Sequence, residues 1–151
     1  MKNMQEKIKS ELKQAMIAKN MDRVNVLRML SAAMTNELVY LQRTPTDILS
    51  DEEVIKVLKR ELKKRKDAIE QFTAAGRPEL AESENAELLV IEEFLPAQMS
   101  KEEIITKVSA RLEAEPIDAS KKGQFVGMMM KELGDSADGA LVKEVIDELV
   151  K

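Results

Sequence analysis

Apolar side chains recur at intervals of three and four residues along almost the whole chain, which is the spacing of amphipathic helices. Between residues 22 and 42, for example, Val24, Leu27, Met34 and Leu38 repeat along one helical face. The pattern is interrupted near prolines and glycines, and it predicts seven helices. They cover about residues 3–19, 22–42, 51–75, 78–95, 101–115, 119–133 and 139–150.

Capping residues mark several of the predicted helix starts. The stretches "SDEE" at 50–53 and "SKEE" at 100–103 each place Ser three residues before Glu, which makes a capping box. Asp22 and Asp138 are the predicted caps of the second and seventh helices. The stretch "LPAQMS" is the clearest boundary between domains. We therefore predict an all-α fold, with an N-terminal four-helix domain over 1–96 and a smaller C-terminal three-helix domain over 97–151.

The composition supports helices and removes several classes of chemistry. Hydrophobic residues make up 44% of the 151-residue chain, which contains three Phe, one Tyr, no Trp, no Cys and no His. Without Cys, disulfides and zinc–thiolate sites are excluded, and without His the commonest general base and metal ligand is missing. The sequence contains neither a phosphate-binding loop nor a nucleophile–base arrangement. We predict no catalytic residues, no metal and no cofactor.

Charge and hydropathy bear on the compartment and the partners. No apolar run approaches the roughly 18 residues of a membrane span, and the N-terminus is too polar for a signal peptide. The default prediction is a soluble cytoplasmic protein with no membrane partner. The formal net charge is −4, so the chain as a whole does not attract nucleic acid.

A basic run in the third predicted helix is the main exception to this acidic balance. In "KVLKRELKKRKDAIEQF", from residue 56 to 72, the apolar residues share one stripe and most basic residues lie on the opposite side. That basic face comprises Lys59, Arg60, Lys63, Lys64 and Lys66, with Lys56 at its start. It is either a solvated face stabilised by pairs with Asp67 and Glu70, or a patch that contacts phosphate.

Arg65 stands apart, because the helical wheel places it within the apolar stripe. An arginine there has to extend towards solvent or find an anion. Glu61, one turn earlier, is the predicted partner. The alternative interpretation is that Arg65 faces a cleft between the two domains.

Three other features carry expectations of their own. The carboxylates of "RPELAESENAE", at Glu79, Glu82, Glu84 and Glu87, are expected to form a solvated face. Gly123 and Gly127, one turn apart, are expected to permit close helix packing, because each glycine costs about 1 kcal/mol relative to alanine in a helix. The three methionines at 128–130 point in three directions and are expected in the core, or on an adaptable partner surface.

The middle of the chain reads "KKRKDAIEQFTAAGRPELAESENAELLVIEEFLPAQMSKEE", and "VLRMLSAAMTNE" at 26–37 and "ADGALVKEVIDELV" at 137–150 flank it. These segments strongly resemble the GatB/YqeY family, and the resemblance covers almost the entire chain. It implies an all-helical protein with a larger N-terminal domain and a three-helix C-terminal domain. The chain looks like the tail of the B subunit of the tRNA-dependent amidotransferase, which helps to hold tRNA.

The resemblance also implies a limit on activity. The family label is carbon–nitrogen ligation with glutamine as the amide donor. In the amidotransferase, activation lies elsewhere in the B subunit and glutamine hydrolysis belongs to another subunit. We therefore expect that the ligase activity belongs to the complete amidotransferase, and that this chain is a non-catalytic module.

The C-terminal segment departs from the family pattern in its charge. Where family members carry a lysine-rich stretch before "ADG", this chain has Gln124, Gly134 and Ser136 at usual lysine positions and Asp135 at a usual glycine position. Residues 97–151 contain eight basic and eleven acidic side chains, a net charge of −3. Fewer phosphate contacts are therefore available here than in the family pattern.

Two functional hypotheses follow. In the first, the chain binds tRNA or an aminoacyl-tRNA complex through its C-terminal domain. The predicted contacts are Lys121, Lys122, Gly123, Lys131, Asp138, Gly139 and Lys143, with the basic face of the third helix as a weaker candidate. In the second, the chain is an adaptor that binds a protein partner in an apolar groove between the domains, near Arg65 and the three methionines.

Overall fold

The computed structural model describes residues 3–151. Within this range the chain forms seven α-helices and no strand, which confirms the predicted all-α fold. The helices are α1 (Met4–Ile17), α2 (Met21–Tyr40), α3 (Asp51–Ala74), α4 (Pro78–Glu92), α5 (Lys101–Ala114), α6 (Lys122–Leu133) and α7 (Gly139–Leu149). Short 3-10 turns at Ala119–Lys121 and Gly134–Ser136 precede and follow α6.

Packing divides the chain into two compact units, the first ending at Leu95 and the second starting at Pro96. The first unit contains α1 to α4 around an aliphatic core. Its most deeply buried large side chains include Ile8, Leu27, Leu30, Met34, Leu38, Leu49, Leu58 and Ile91. Each helix contributes one apolar face to this core and leaves its opposite face to solvent.

Polar contacts hold the loop between α2 and α3 against the first unit. The buried side chain of Gln5 accepts a hydrogen bond from the backbone N–H of Leu49, with 2.7 Å between nitrogen and oxygen. Arg43 lies 2.9 Å from both carboxylate oxygens of Glu53 and donates to the backbone carbonyl of Ile48 at 2.6 Å. The loop after α2 is therefore tied both to α1 and to the start of α3.

One predicted cap was wrong. The residue that caps α2 is Asn20, whose side chain accepts a hydrogen bond from the backbone N–H of Arg23 at 3.3 Å. Asp22 lies inside the first turn, where its negative charge interacts favourably with the positive end of the helix dipole but does not cap the helix. Sequence spacing alone did not separate these two positions, since both residue types are good caps.

The second unit contains α5, α6 and α7 around a smaller core. Its buried side chains include Ile104, Val108, Phe125, Met129, Val142, Val145 and Ile146. The predicted helix over 119–133 is interrupted, because Asp118 caps the separate 3-10 turn that precedes α6. After α6, Gly134 has a φ of 63°, in the region that favours glycine, and the chain turns into α7.

Among residues 3–151, none of the helices combines the length and the apolarity needed to cross a membrane.

Both predicted capping boxes are confirmed, at Ser50 with Glu53 and at Ser100 with Glu103. We expect Ser50→Ala to destabilise α3 and Ser100→Ala to destabilise α5, each by about 1 kcal/mol, because a backbone N–H loses its acceptor. Amide hydrogen exchange measured by mass spectrometry reports each helix separately. Loss of protection spread equally over both helices in either variant would contradict this local origin.

Candidate functional site

The solvent face of α6 brings together several of the residues predicted to contact tRNA. Phe125 and Met129 point into the core of the second unit. At about 100° per residue, Gln124, Gly127 and Lys131 therefore lie near the centre of the opposite face. Gly123 lies on one flank of that face, and Lys121 ends the 3-10 turn immediately before α6; both are exposed. We call this surface, formed by Lys121, Gly123, Gln124, Gly127 and Lys131, the α6 face.

The two glycines of the α6 face do not mediate helix packing. A Cβ atom built on Gly123 or Gly127 meets nothing within 4 Å among the described residues. The expectation of close helix packing was therefore wrong. Spacing by four residues places the glycines on one side of a helix but does not say which side, and here Phe125 and Met129 occupy the buried side.

The three consecutive methionines divide between core and surface. Met129 is fully buried, whereas Met128 and Met130 are exposed. The Met130 Cε atom would lie 3.3 Å from a Cβ built on Gly139, so Gly139 leaves room for this side chain at the start of α7. The expectation of a core role thus holds for one methionine of the three.

A small depression lies beside the α6 face, with a volume of about 220 Å³. Gln124 and Met128 line it from α6, Lys121 from the 3-10 turn before α6, and Arg111 and Glu115 from the end of α5 and the residue after it. The Arg111 guanidinium reaches the Glu132 carboxylate at 3.4 Å and the Met128 sulfur at 3.4 Å. Sequence reasoning missed Arg111, because only the packing of α5 against α6 brings it beside Lys121.

The remaining predicted contacts of the second unit lie in other surroundings. Lys122 forms an ion pair with Asp147 at 3.5 Å. Lys143 lines a separate, shallow depression on α7 whose other charged residues are mainly Glu144, Asp147 and Glu148. The structure therefore brings Lys121 and Lys131 onto one helical face but does not place Lys143 in the depression beside it.

The "ADG" turn at 137–139 is closed by its own aspartate. The Asp138 carboxylate accepts a hydrogen bond from the backbone N–H of Ala140 at 3.1 Å, which confirms Asp138 as the cap of α7. By contrast, the residue at the cap position of α6 is Lys121, which makes no side-chain capping bond. The 3-10 turn that runs directly into α6 is capped by Asp118, whose carboxylate accepts from the backbone N–H of Ser120 at 3.0 Å, so both helix starts already carry an aspartate.

In the first unit, the basic face of α3 is partly engaged with carboxylates. Arg60 pairs with Glu37 on α2, and the Lys64 ammonium lies 3.2 Å from the Glu61 carboxylate. Lys59 and Lys66 also take part in polar contacts. The side chain of Lys63 is exposed. This face is therefore a mixture of ion pairs and solvated ammonium groups.

Arg65 is largely buried and belongs to an ionic cluster within the first unit. Its Nε lies 2.9 Å from the Glu87 carboxylate and 3.4 Å from that of Glu84, and its Nη2 lies 3.8 Å from Glu61. The guanidinium also contacts the Met29 sulfur. The predicted pairing with Glu61 is therefore present, but Glu61 is the most distant of the three carboxylates.

The expectation that the acidic segment of α4 is wholly solvated was wrong for two of its four carboxylates. Glu84 and Glu87 turn towards Arg65, whereas Glu79 and Glu82 are exposed. The reason is that Arg65 enters the apolar side of α3 and requires anions from the helix packed against it. Burial raises the pKa of the Glu87 carboxyl, and the neighbouring Glu84 raises it further, while Arg65 opposes both effects.

No group of three or more carboxylates with the arrangement of a metal site occurs in the described part of the chain.

A model of the family described as Yqey-like protein matches residues 5–150. The chain belongs to the Yqey-like protein family. This confirms the resemblance drawn from the sequence, and it covers both compact units of this Yqey-like protein.

Three fungal proteins are similar to this Yqey-like chain. An uncharacterized protein of Schizosaccharomyces pombe is 34% identical over 98 residues, which span 65% of this chain and 76% of that protein. The proteins named "Altered inheritance of mitochondria protein 41, mitochondrial" in Pyrenophora tritici-repentis and Clavispora lusitaniae are 27% and 30% identical. Those two matches each span 95% of this chain, and 79% and 85% of the relatives.

The raised pKa of Glu87 predicts a pH dependence of stability. The folded protein takes up this proton at a higher pH than the unfolded chain, whose glutamates titrate at about pH 4.3. The stabilisation from this difference is complete below the unfolded pKa and is lost as pH rises through the folded pKa. We therefore expect the free energy of unfolding of Glu87→Gln, relative to that of the unsubstituted protein, to be higher at pH 7 than at pH 4.

Urea unfolding followed by circular dichroism at both pH values measures this difference in the free energy of unfolding. Glu82→Gln is the matched control, because it removes the same charge at an exposed position of the same helix. A relative stability of Glu87→Gln that is equal at the two pH values, or higher at pH 4, would contradict the prediction.

Proposed function

We propose that this Yqey-like protein is a non-catalytic helical module that binds tRNA or an aminoacyl-tRNA complex through the α6 face. The observation that carries the proposal is the open space over Gly123 and Gly127. Glycine weakens a helix, and here no described residue packs into the space that the missing side chains leave. A partner whose backbone approaches α6 closely would account for both glycines.

The charges around the glycines favour a phosphate backbone as that partner. Lys121 and Lys131 are exposed at the α6 face, and Lys122, next to Lys121 in the chain, turns towards α7 and pairs with Asp147. Arg111, which pairs with Glu132, adds a fourth cation near Lys121, in the depression that Gln124 and Glu115 also line. Phosphate contacts by lysine and arginine are the main source of sequence-independent affinity for nucleic acid. These local cations act within a unit whose net charge is −3.

The remaining predicted contacts have supporting positions in this proposal. Asp138 and Gly139 shape the start of α7, where Gly139 makes room for Met130 at the edge of the α6 face. Lys143 adds positive charge on α7, among carboxylates that limit its contribution. The family resemblance supplies tRNA as the nucleic acid, since the amidotransferase tail helps to hold tRNA.

The compartment belongs to the proposal as well. We expect the protein in the cytoplasm, where tRNA is abundant. Two relatives carry the word mitochondrial in their names. A mitochondrial location of this chain is therefore the alternative, and it is compatible with the same ligand.

Charge reversal on the α6 face tests the proposal. We expect Lys121→Glu with Lys122→Glu to abolish retention of bulk tRNA, measured by filter binding across a salt series. For the unsubstituted protein, the logarithm of the binding constant should fall as the logarithm of salt concentration rises, with a slope of about −0.7 to −0.9 for each phosphate that it neutralises. Lys107→Glu with Lys151→Glu is the control, because it changes the charge of the same unit equally at exposed positions outside the α6 face. Unchanged retention of tRNA at low salt would show that Lys121 and Lys122 do not form the binding site.

The glycines provide a second, independent test. Gly127→Ala places a methyl group in open space at the middle of α6, so we expect it to stabilise the helix by about 1 kcal/mol. The same methyl group should weaken tRNA binding, because it occupies the surface that the RNA approaches. Thermal unfolding and filter binding on one variant measure both effects. Higher stability with undiminished binding would contradict the role assigned to the glycines.

A further inference from the structure

A groove runs between α2 and α3 in the first unit, on a surface that the tRNA proposal does not use. Its volume is about 540 Å³. From α2 it is lined by Met29, Ala32, Ala33, Asn36, Glu37 and Tyr40, and from α3 by Val57, Arg60, Glu61, Lys64 and Arg65. We call this the α2–α3 groove. Every helix that forms it lies within the first unit.

The dimensions of the groove match those of a short helix. The α2 residues follow the spacing i, i+3, i+4, i+7, i+8 and i+11, which is one continuous helical stripe. At 1.5 Å per residue, the eleven steps from Met29 to Tyr40 extend over about 16 Å, or three helical turns. A partner helix of about 12 to 14 residues would lie along the full groove.

Apolar and small side chains form one part of the groove, beside its charged residues. Val57 is buried, and Met29 packs against the core of the first unit. Ala32 is exposed and Ala33 is half-buried, so only small side chains cover the backbone of α2 at this position. Small residues at such positions let a second helix approach closely while larger apolar side chains from that helix fill the space.

Two cations of the groove, Arg60 and Lys64, lie nearer the surface than the carboxylates with which they pair, whereas Arg65 is largely buried. The side chains of Glu37 and Glu61 are 16% and 11% exposed, whereas those of their partners Arg60 and Lys64 are 56% and 66% exposed. A visiting molecule therefore meets the cations first. A guanidinium has five N–H donors and an ammonium three, so each of these cations can accept a second carboxylate.

An exposed aromatic side chain stands at one end of the groove. Tyr40 is 79% exposed at the last residue of α2. Its neighbours Val39 and Leu41 are also exposed, which makes this end of the helix unusually apolar for a solvent surface. Tyrosine and arginine are among the residues enriched at the energetic centres of protein interfaces.

From this arrangement we infer that the α2–α3 groove binds an amphipathic α-helix of a partner protein. The partner helix presents apolar residues at i, i+3 or i+4, and i+7 to Ala32, Ala33 and Val57. It carries carboxylates on the flank that meets Arg60 and Lys64. Tyr40 covers one end of the bound helix.

The observations favour a helix over a nucleic acid in this groove. Single-stranded nucleic acid is held by several stacking aromatics along a basic channel. Here Tyr40 is the single aromatic residue of the lining, and Glu37 and Glu61 are less exposed than the cations Arg60 and Lys64 that pair with them. These carboxylates would repel a phosphate chain, whereas a helix can place apolar side chains over Ala32, Ala33 and Val57 and its carboxylates beside Arg60 and Lys64.

The experiment is a selection from a library of phage-displayed peptides of about 14 residues, using the full-length protein as target. We expect the enriched peptides to share apolar residues at helical spacing, with Asp or Glu beside them. One enriched peptide, labelled with a fluorophore, then serves as the probe in anisotropy titrations. Enriched peptides that lack either the apolar spacing or the carboxylates would overturn the inference.

Two pairs of matched variants locate the binding. Ala32→Trp fills the groove from an exposed helical position, and Ala86→Trp makes the same change at an exposed position of α4. Lys64→Gln removes a cation that lines the groove, and Lys63→Gln removes its exposed neighbour outside it. We expect the first member of each pair to weaken probe binding by about tenfold or more, and the second to leave it unchanged. Circular dichroism confirms that each variant is folded.

Other occupants give distinct results in the same experiment. If tRNA displaces the probe, and Lys63→Gln and Lys64→Gln weaken tRNA binding equally, the groove side of α3 is a nucleic-acid surface and the inference is wrong. If the protein forms a dimer that Ala32→Trp abolishes in sedimentation velocity, the occupant is a second copy of the chain. That result would also contradict the inference that the groove binds a helix of a partner protein. Neither result depends on whether the α6 face binds tRNA.

Discussion

The guanidinium of Arg65 imposes a constraint on the whole first unit. It lies on the side of α3 that otherwise packs apolar residues, so its charge has to be neutralised where water has little access. Helix α4 supplies Glu84 and Glu87, one turn apart, and α3 supplies Glu61. Two carboxylates on α4 that must reach one guanidinium restrict how far that helix can slide along α3. The cluster therefore sets the register of these helices more strictly than aliphatic contacts would.

The same cluster connects the interior with the surface. Glu61 accepts from Lys64 on its outer side and faces Arg65 on its inner side. Both basic residues also line the α2–α3 groove. One wall of the groove is thus a set of charges whose positions are fixed by packing elsewhere. Preorganised charges of this kind lower the cost of ordering side chains when a partner binds.

In both units, the proposed binding surface is one on which a helix exposes small residues. In the second unit they are Gly123 and Gly127, and in the first unit Ala32. Each of these positions leaves a low backbone surface between charged side chains. The aliphatic cores use the other side of the same helices, so Gly123, Gly127 and Ala32 take little part in core packing.

The periodicity of apolar residues predicted the helices because it reports a local property, namely which face of each helix turns inward. Ser50 and Ser100 were predictable for the same reason, since a capping box is contained within four residues. The partners of Arg65 on α4, and the place of Arg111 beside Lys121, depend on which helices pack together. No spacing along the chain contains that information. The orientation of Gly123 and Gly127 was mistaken because glycine lacks a side chain whose polarity would indicate inside or outside.

The position of the single tyrosine has a practical consequence for spectroscopy. The chain contains one Tyr and no Trp, so its intrinsic ultraviolet fluorescence comes almost entirely from Tyr40. Because this ring is already largely in water, unfolding changes its surroundings little. Emission from the protein is therefore a poor indicator of denaturation. It reports instead on whether the end of the α2–α3 groove is covered, without any label being attached to the chain.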